Sequence, residues 1–236
     1  NQTDRFNSSS DVSCTASQMP RLVGLAMASK LYRQEKLFKD LKFSNQGNEV
    51  AWGTIGNAST SEGLFFESIN AAGVHQIPMV ISVWDDEYGI SVDNSFQTTK
   101  GSISEALAGF QQTKSKKGFQ IFTVCGWDYP ALIDTFQKAG QIARTHHIPV
   151  MIHVTELTQP QGHSSSGSQE RYKSQDRLDW EKEHDCNQKF KTWIIDSKIA
   201  TESELDEVQQ EAKQIAKKAK EDAWKASLQP IQTEAK

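Results

Sequence analysis

Asn57 and Asp86 are the two residues whose types and spacing point most directly to chemistry. Asn57 follows Gly56 in the run Gly56-Asn57-Ala58-Ser59-Thr60-Ser61-Glu62-Gly63, and Asp86 lies between Asp85 and Tyr88. A glycine turn closing one strand, a helix, and a second strand ending in carboxylates would bring both groups to one edge of a parallel sheet. Open α/β sheets bind ligands there, outside the carboxyl ends of the strands. An Asn amide oxygen, an Asp carboxylate and a nearby backbone carbonyl are the oxygen donors that Mg2+ takes alongside phosphate oxygens and water. A helix opening near Ser61 would point free N–H groups at the same place, which favours phosphate. On its own, a Gly-Asn-Ala turn is an ordinary strand-to-helix connection; its placement relative to Asp86 gives it weight.

His163 sits in the polar run Gly162-His163-Ser164-Ser165-Ser166, where an imidazole is either a solvated loop side chain or an acid–base group. His146, His147 and His153 fall at a helix end or on the strand after it and read as structural. Glu62 opens a helix, where its charge suits the helix dipole, whereas Glu67 reads equally well as helix surface.

The elements that must position these groups follow from hydrophobic patterning. Residues 49–55, 78–84, 119–124 and 149–156 read as strands, the second a near-continuous apolar run of the kind buried on both faces. Helices are expected from Pro20 onward (Leu22, Leu25, Ala26 and Leu31 in periodic order) and over 61–75, 102–112 and 129–145. Strands alternating with helices of this length imply an α/β fold with a doubly wound parallel sheet. Residues 1–18 are polar and should be extended, and the start at Asn1 reads as a piece cut from a longer chain. The α/β domain then spans 19–157. A Gly/Ser-rich loop over 158–175 is too long for a simple connector. The region 176–236 is helical and highly charged, with a capping box at Thr201-Glu202-Ser203-Glu204. Its narrow apolar stripe (Leu205, Val208, Ala212, Ile215, Ala219) is expected to pack against the sheet domain, or otherwise against another subunit.

Composition sets outer limits. At 236 residues the chain can bury one good core but not two large domains. A net charge of -4 leaves no basic patch for nucleic acid. Three scattered cysteines (Cys14, Cys125, Cys186) argue against a disulfide scaffold and fit a reducing compartment. No apolar run is long enough to span a membrane.

Four segments carry a resemblance to a known family: Ala16-Ser17-Gln18-Met19-Pro20, residues 56–70 (GNASTSEGLFFESIN), residues 85–91 (DDEYGIS) and the 162–166 loop. Together they resemble the alpha subunit, or alpha half, of the thiamine-diphosphate-dependent decarboxylating component of 2-oxo acid dehydrogenase complexes. The family's motif is a G-D-G turn followed, one strand–helix–strand unit later, by an N-N pair. The resemblance implies thiamine diphosphate and Mg2+ as cofactors. Carried over position by position, it makes Asn57, Asp86 and the Tyr88 carbonyl the metal ligands. It places Gly56, Ala58 and Ser59 along the diphosphate, with Tyr88 also at the cofactor, and Ser13 and Thr15 near the aminopyrimidine ring. His163 matches a histidine that stabilises reaction intermediates, and Ser164 a neighbouring serine phosphorylated in some mitochondrial relatives.

The chain departs from the family pattern at several positions. Asn57 stands where the family has an acidic ligand and Asp86 where it has Asn, so amide and carboxylate are exchanged and one negative charge remains. Ala58 replaces the second glycine, Asp85 replaces an Asn, Gly167 replaces an Asp, and an arginine usual before the His163 loop is absent near Thr158 or Gln159. The resemblance implies oxidative decarboxylation of a 2-oxo acid with acyl transfer to a lipoyl group. It also implies a beta subunit or half that supplies the activating glutamate, without which this chain would not turn over, and a lipoyl acyltransferase core as a further partner. Neither nucleic acid nor membrane is expected as a partner, and the expected location is the bacterial cytoplasm, or the mitochondrial matrix in a eukaryote. Branched-chain substrates are favoured mildly over pyruvate. Two other readings stay open: a transketolase-like enzyme, and a non-catalytic binding half whose metal site has decayed.

Overall fold

The computed structural model describes residues 14–38 and 40–234, which form two compact units divided after Cys186. The first is built on four parallel strands: β1 (Ala51–Gly56), β2 (Met79–Trp84), β5 (Gln120–Cys125) and β6 (Val150–Thr155), in the spatial order β1-β2-β6-β5. A small antiparallel hairpin, β3 (Tyr88–Gly89) with β4 (Val92–Asp93), follows β2. The helices of this unit are α1 (Gln18–Gln34), α2 (Gly63–His75), the short α3 (Ile103–Ala106), α4 (Tyr129–His146) and α5 (Gln175–Glu183).

Alternation along the central strands feeds two separate cores. Met79, Ile81, Val83 and Met151 pack with Met19, Leu22 and Ala26 of α1, with Phe65, Ile69 and Ala72 of α2, and with Ile103 and Phe119. Val80, Val150, Ile152 and Val154, whose side chains take the other strand positions, pack with Ala139 and Ala143 of α4. Successive strand side chains point to opposite faces, so a run apolar at every position must be covered on both. Gly53 lets α1 approach the sheet: a side-chain carbon there would come within 2.6 Å of Leu22. The expected parallel α/β sheet is therefore present, with strand limits within one or two residues of those read from the sequence.

Three expectations are corrected. The helix expected over 102–112 is only α3, capped by Ser102, followed by a 3-10 turn at Ala108–Phe110. The chain then loops round so that Phe119 lies parallel to Gln111, its N–H donating to the Phe110 carbonyl and its carbonyl accepting the Gln112 N–H (both 2.7 Å). Those groups are spent on the bridge and cannot extend a helix. Likewise α2 does not open at Ser61. A 3-10 turn (Ala58–Ser61) comes first, and Glu62, in extended conformation, separates it from the helix proper. Residues 14–18, the described part of the segment expected to be extended, are not extended. Residues 14–17 form a turn with Ala16 in the left-handed region (φ 62), and Gln18 is already helical.

The second unit contains most of α6 (Cys186–Asp196) and the long α7 (Glu202–Glu234). The capping box forms reciprocally: the Thr201 backbone N–H donates to the Glu204 carboxylate at 2.8 Å, and the Glu204 N–H to the Thr201 hydroxyl at 3.3 Å. On the apolar stripe of α7, Val208 and Ile215 are each 61% exposed in the single chain. No helix among the described residues is long and apolar enough to cross a membrane.

Candidate functional site

A cleft of about 330 Å³ opens at the carboxyl end of β1, between that strand and the turn before α1. Thr15, Gln18, Gly56, Ser59 and Trp84 are among its lining residues. The Gln18 side-chain amide donates to the Thr54 carbonyl at 3.3 Å and fixes the α1 side of the cleft to β1. Thr15 thus meets Gly56 and Ser59, far from it in sequence, around one space. Ala58 turns elsewhere: its methyl carbon lies 2.6 Å from where a side-chain carbon on Gly89 would stand. Ser13 lies outside the described residues.

Asn57 is held by its backbone. Its N–H donates to the Trp84 carbonyl at 3.0 Å, and its carbonyl accepts from the Thr60 N–H at 3.1 Å and the Thr60 hydroxyl at 2.6 Å. Its side chain is buried, and the amide nitrogen Nδ2 has no hydrogen-bond partner. Buried polar groups are rarely left orphaned, so an unpartnered amide at a sheet edge marks a place for a ligand. Because amide O and N assignments are interchangeable by a flip, the same group can present its oxygen. Asp86, one strand over, is half-buried. Burial pushes its carboxyl above the ordinary carboxylate range, while the Tyr88 N–H (donating to Oδ1 at 3.2 Å) and the Lys173 charge pull it back. Tyr88 opens the β3–β4 hairpin, and burial likewise raises its phenol. One amide, one carboxylate and one backbone carbonyl are thus offered from adjacent strand ends, a donor set that fits Mg2+.

The 158–175 loop folds into turns capped by local bonds. The His163 Nδ1 accepts the Ser165 N–H at 3.2 Å and lies 2.9 Å from the Ser165 hydroxyl, while the Ser166 hydroxyl donates to the His163 carbonyl at 2.9 Å. A backbone N–H can only donate, so neutral His163 carries its proton on Nε2. The Tyr172 hydroxyl reaches Ser166 at 3.2 Å, and its ring meets Tyr88 edge-on at 5.6 Å, which ties the loop to the hairpin. Ser164 is exposed. Glu62 and Glu67 are exposed.

A model of the dehydrogenase E1 component family matches residues 3–232. The chain belongs to that family. Among its relatives, the pyruvate dehydrogenase E1 component subunit alpha of Rickettsia felis is 26% identical over 202 residues, covering 86% of this chain and 55% of the relative. The 2-oxoisovalerate dehydrogenase subunit alpha of Bacillus subtilis is 26% identical over 193 residues, covering 82% of this chain and 51% of that one. The chain spans about half the length of the curated relatives it matches.

Within this E1 chain, Asp85 behaves differently from its neighbour. Its carboxylate accepts the Glu87 N–H at 2.8 Å and the Asn94 amide at 3.3 Å, and bonds His153 Nε2 at 2.8 Å. His153 Nδ1 in turn lies 2.8 Å from the Ser104 hydroxyl. The additional charge of Asp85 is thus consumed inside the fold. Sequence reading treated His153 as structural, and its burial within β6 agrees, but did not pair it with Asp85. The available signal was one imidazole inside an otherwise apolar strand. Lys173, Arg177 and Glu181, which gather near Tyr88, were missed altogether; Lys173 lies in the segment that reads as a polar loop, and Arg177 and Glu181 in the charged helical region after it.

Proposed function

We propose that this E1 chain is the half of a 2-oxo acid dehydrogenase decarboxylating component that holds thiamine diphosphate and Mg2+, in the doubly wound fold of that cofactor's binding domains. The observation carrying this reading is the buried, unpartnered amide of Asn57, beside a cleft that gathers Thr15, Gly56 and Ser59. Asn57 and Asp86, with the Tyr88 carbonyl, would ligate the metal. The exchange of amide and carboxylate relative to the family leaves one negative charge among the ligands, which keeps the site suited to a divalent cation. Gly56 and Ser59 would face the diphosphate, joined by the backbone of Ala58. Thr15, with Ser13, would take the aminopyrimidine end.

Thiamine diphosphate supplies the carbanion-stabilising chemistry that lets a 2-oxo acid lose carbon dioxide. The chain's own contribution is position and charge. His163, with its proton on Nε2, offers a hydrogen-bond donor to the negative charge that develops at the reacting carbonyl. Ser164, exposed beside it, would be the residue to carry a regulatory phosphate, which would add negative charge next to that donor. The beta half would bring the glutamate that activates the cofactor, and the acyl group would leave on a lipoyl arm of the acyltransferase core. The names of the relatives cover both pyruvate and 2-oxoisovalerate, and the substrate class proposed is a 2-oxo acid of that kind.

Calorimetric titration of thiamine diphosphate into the full chain, with and without Mg2+, tests the reading. Binding should require Mg2+ and should vanish in Asp86→Ala. Absence of binding even with the beta half present would sink it in favour of a non-catalytic half.

A further inference from the structure

Arg177 lies on α5, far in sequence from the Asp86–Tyr88 turn, yet its guanidinium is spread across that turn. Nη2 donates to the Asp86 carbonyl at 3.1 Å, Nη1 pairs with the Glu87 carboxylate, and the guanidinium carbon stands 5.7 Å from the centre of the Tyr88 ring. Nε donates to Glu181 Oε1 at 2.9 Å. Glu181 is buried and receives Lys173 through both oxygens, at 2.7 and 2.9 Å. The Lys173 ammonium completes its shell with Gln169 at 3.0 Å and lies 4.9 Å from the Tyr88 ring centre. Two cations and two carboxylates thus form a paired cluster beside Tyr88, with Lys173 and Glu181 buried at its centre and Glu87 at its exposed rim. Every member is paired, as buried charge requires.

We propose that Arg177 is a positioning residue for the metal ligands Asp86 and Tyr88, held in register by Glu181 and Lys173. This inference rests on the metal reading given above. Fixing the Asp86 carbonyl sets the peptide plane that follows the ligand carboxylate. Fixing the Tyr88 ring between cations and Tyr172 sets the residue whose carbonyl is the third ligand. Only a planar fork can serve Glu181, the Asp86 carbonyl and Glu87 together; a lysine ammonium is a point donor on a flexible stem. The same cluster fastens the end of the His163 loop, through Lys173, to the metal turn.

The test is Mn2+ binding by the full chain in the presence of thiamine diphosphate, read by electron paramagnetic resonance. Wild type is compared with Arg177→Met and Arg177→Lys, and unfolding curves establish that each variant is folded. Loss of a group that orients metal ligands weakens metal affinity about 10–100-fold, so Arg177→Met should fall in that range and Arg177→Lys should recover part of it. Hydrogen exchange of the metal-free protein should show faster opening at 86–89 and at 169–173 in Arg177→Met. A folded Arg177→Met that holds Mn2+ within about twofold of wild type would overturn the proposal, since outer-shell residues that matter cost far more. Should Arg177→Met fail to fold, wild-type affinity in Arg177→Lys would overturn it equally. Failure of the wild type to bind Mn2+ even with the beta half present would instead bring down the metal reading itself.

Discussion

His153 and Asp85 share a 2.8 Å hydrogen bond between neighbouring strands, with only 2% and 5% of their side chains exposed. The bond joins β6 to the residue immediately before the proposed metal ligand Asp86. Removing the imidazole strands a buried carboxylate with only the Glu87 N–H and the Asn94 amide for company. Breaking a buried pair from one side costs about 3–5 kcal/mol. His153→Ala should therefore lower unfolding free energy by that order in a denaturant titration. Asp85→Asn, which keeps an oxygen acceptor opposite His153 Nε2, should cost clearly less. Equal losses in the two variants would mean that the pair contributes packing only.

The strand–helix frame was legible because it is written in local patterns. The apolar run of β2 needs covering on both faces, and Asp128 and Tyr129-Pro130 mark the start of α4 at its amino end. The stretch between 88 and 118 was not legible, since its short turns are set by Lys100 and Gly101 at positive φ and by the parallel bridge between Gln111 and Phe119. Thr15, Gly56 and Ser59 were chosen by resemblance, and the structure places them around one cleft. The Asp85–His153 and Arg177–Glu87 pairs were invisible because they join residues far apart in the chain, with no periodicity to announce them. The apolar stripe of α7 was legible as a face, but an apolar pattern does not name the partner of that face.

Ligand charge gives a sharper test of the exchanged site than deletion does. Asp86→Asn would leave no negative ligand and should weaken Mg2+ by about tenfold or more, ~1.4 kcal/mol. Asn57→Asp would place two carboxylates on the ion and should tighten it, while lowering the melting temperature of the metal-free protein because the new charge is buried. The double exchange should return the affinity to near the wild-type value. Calorimetry on the four proteins distinguishes this order from a site in which neither residue touches metal, where all four would bind alike.

Ala58 and Gly89 form a second coupled pair. A side-chain carbon on Gly89 would stand 2.6 Å from the Ala58 methyl and 2.4 Å from the Gln97 amide oxygen. Gly89→Ala should thus destabilise the protein by about 1–3 kcal/mol through overpacking. Adding Ala58→Gly should recover part of the loss, because one of the two clashes disappears. A coupling of at least about 0.5 kcal/mol in the double-mutant cycle is the expected result, and strict additivity would contradict the contact.

His147 supplies a pH dependence with a definite sign. It closes α4 in the left-handed conformation (φ 53), is buried, and its Nε2 has no hydrogen-bond partner. Burial, aided by the charges of Arg33 and Lys30, lowers its pKa from the ordinary 6.5, against a weaker pull from a Gly47 backbone hydrogen bond. The unfolded chain therefore binds a proton at a pH where folded His147 does not. Stability is then fully present above 6.5 and is lost as the pH falls from there toward the depressed folded value. His147→Asn keeps a residue that tolerates positive φ and removes the titration. Unfolding free energies measured from pH 7.5 downward should fall less steeply for His147→Asn than for the wild type. Parallel curves would show that His147 is already protonated in the folded protein or titrates there as it does in the unfolded chain.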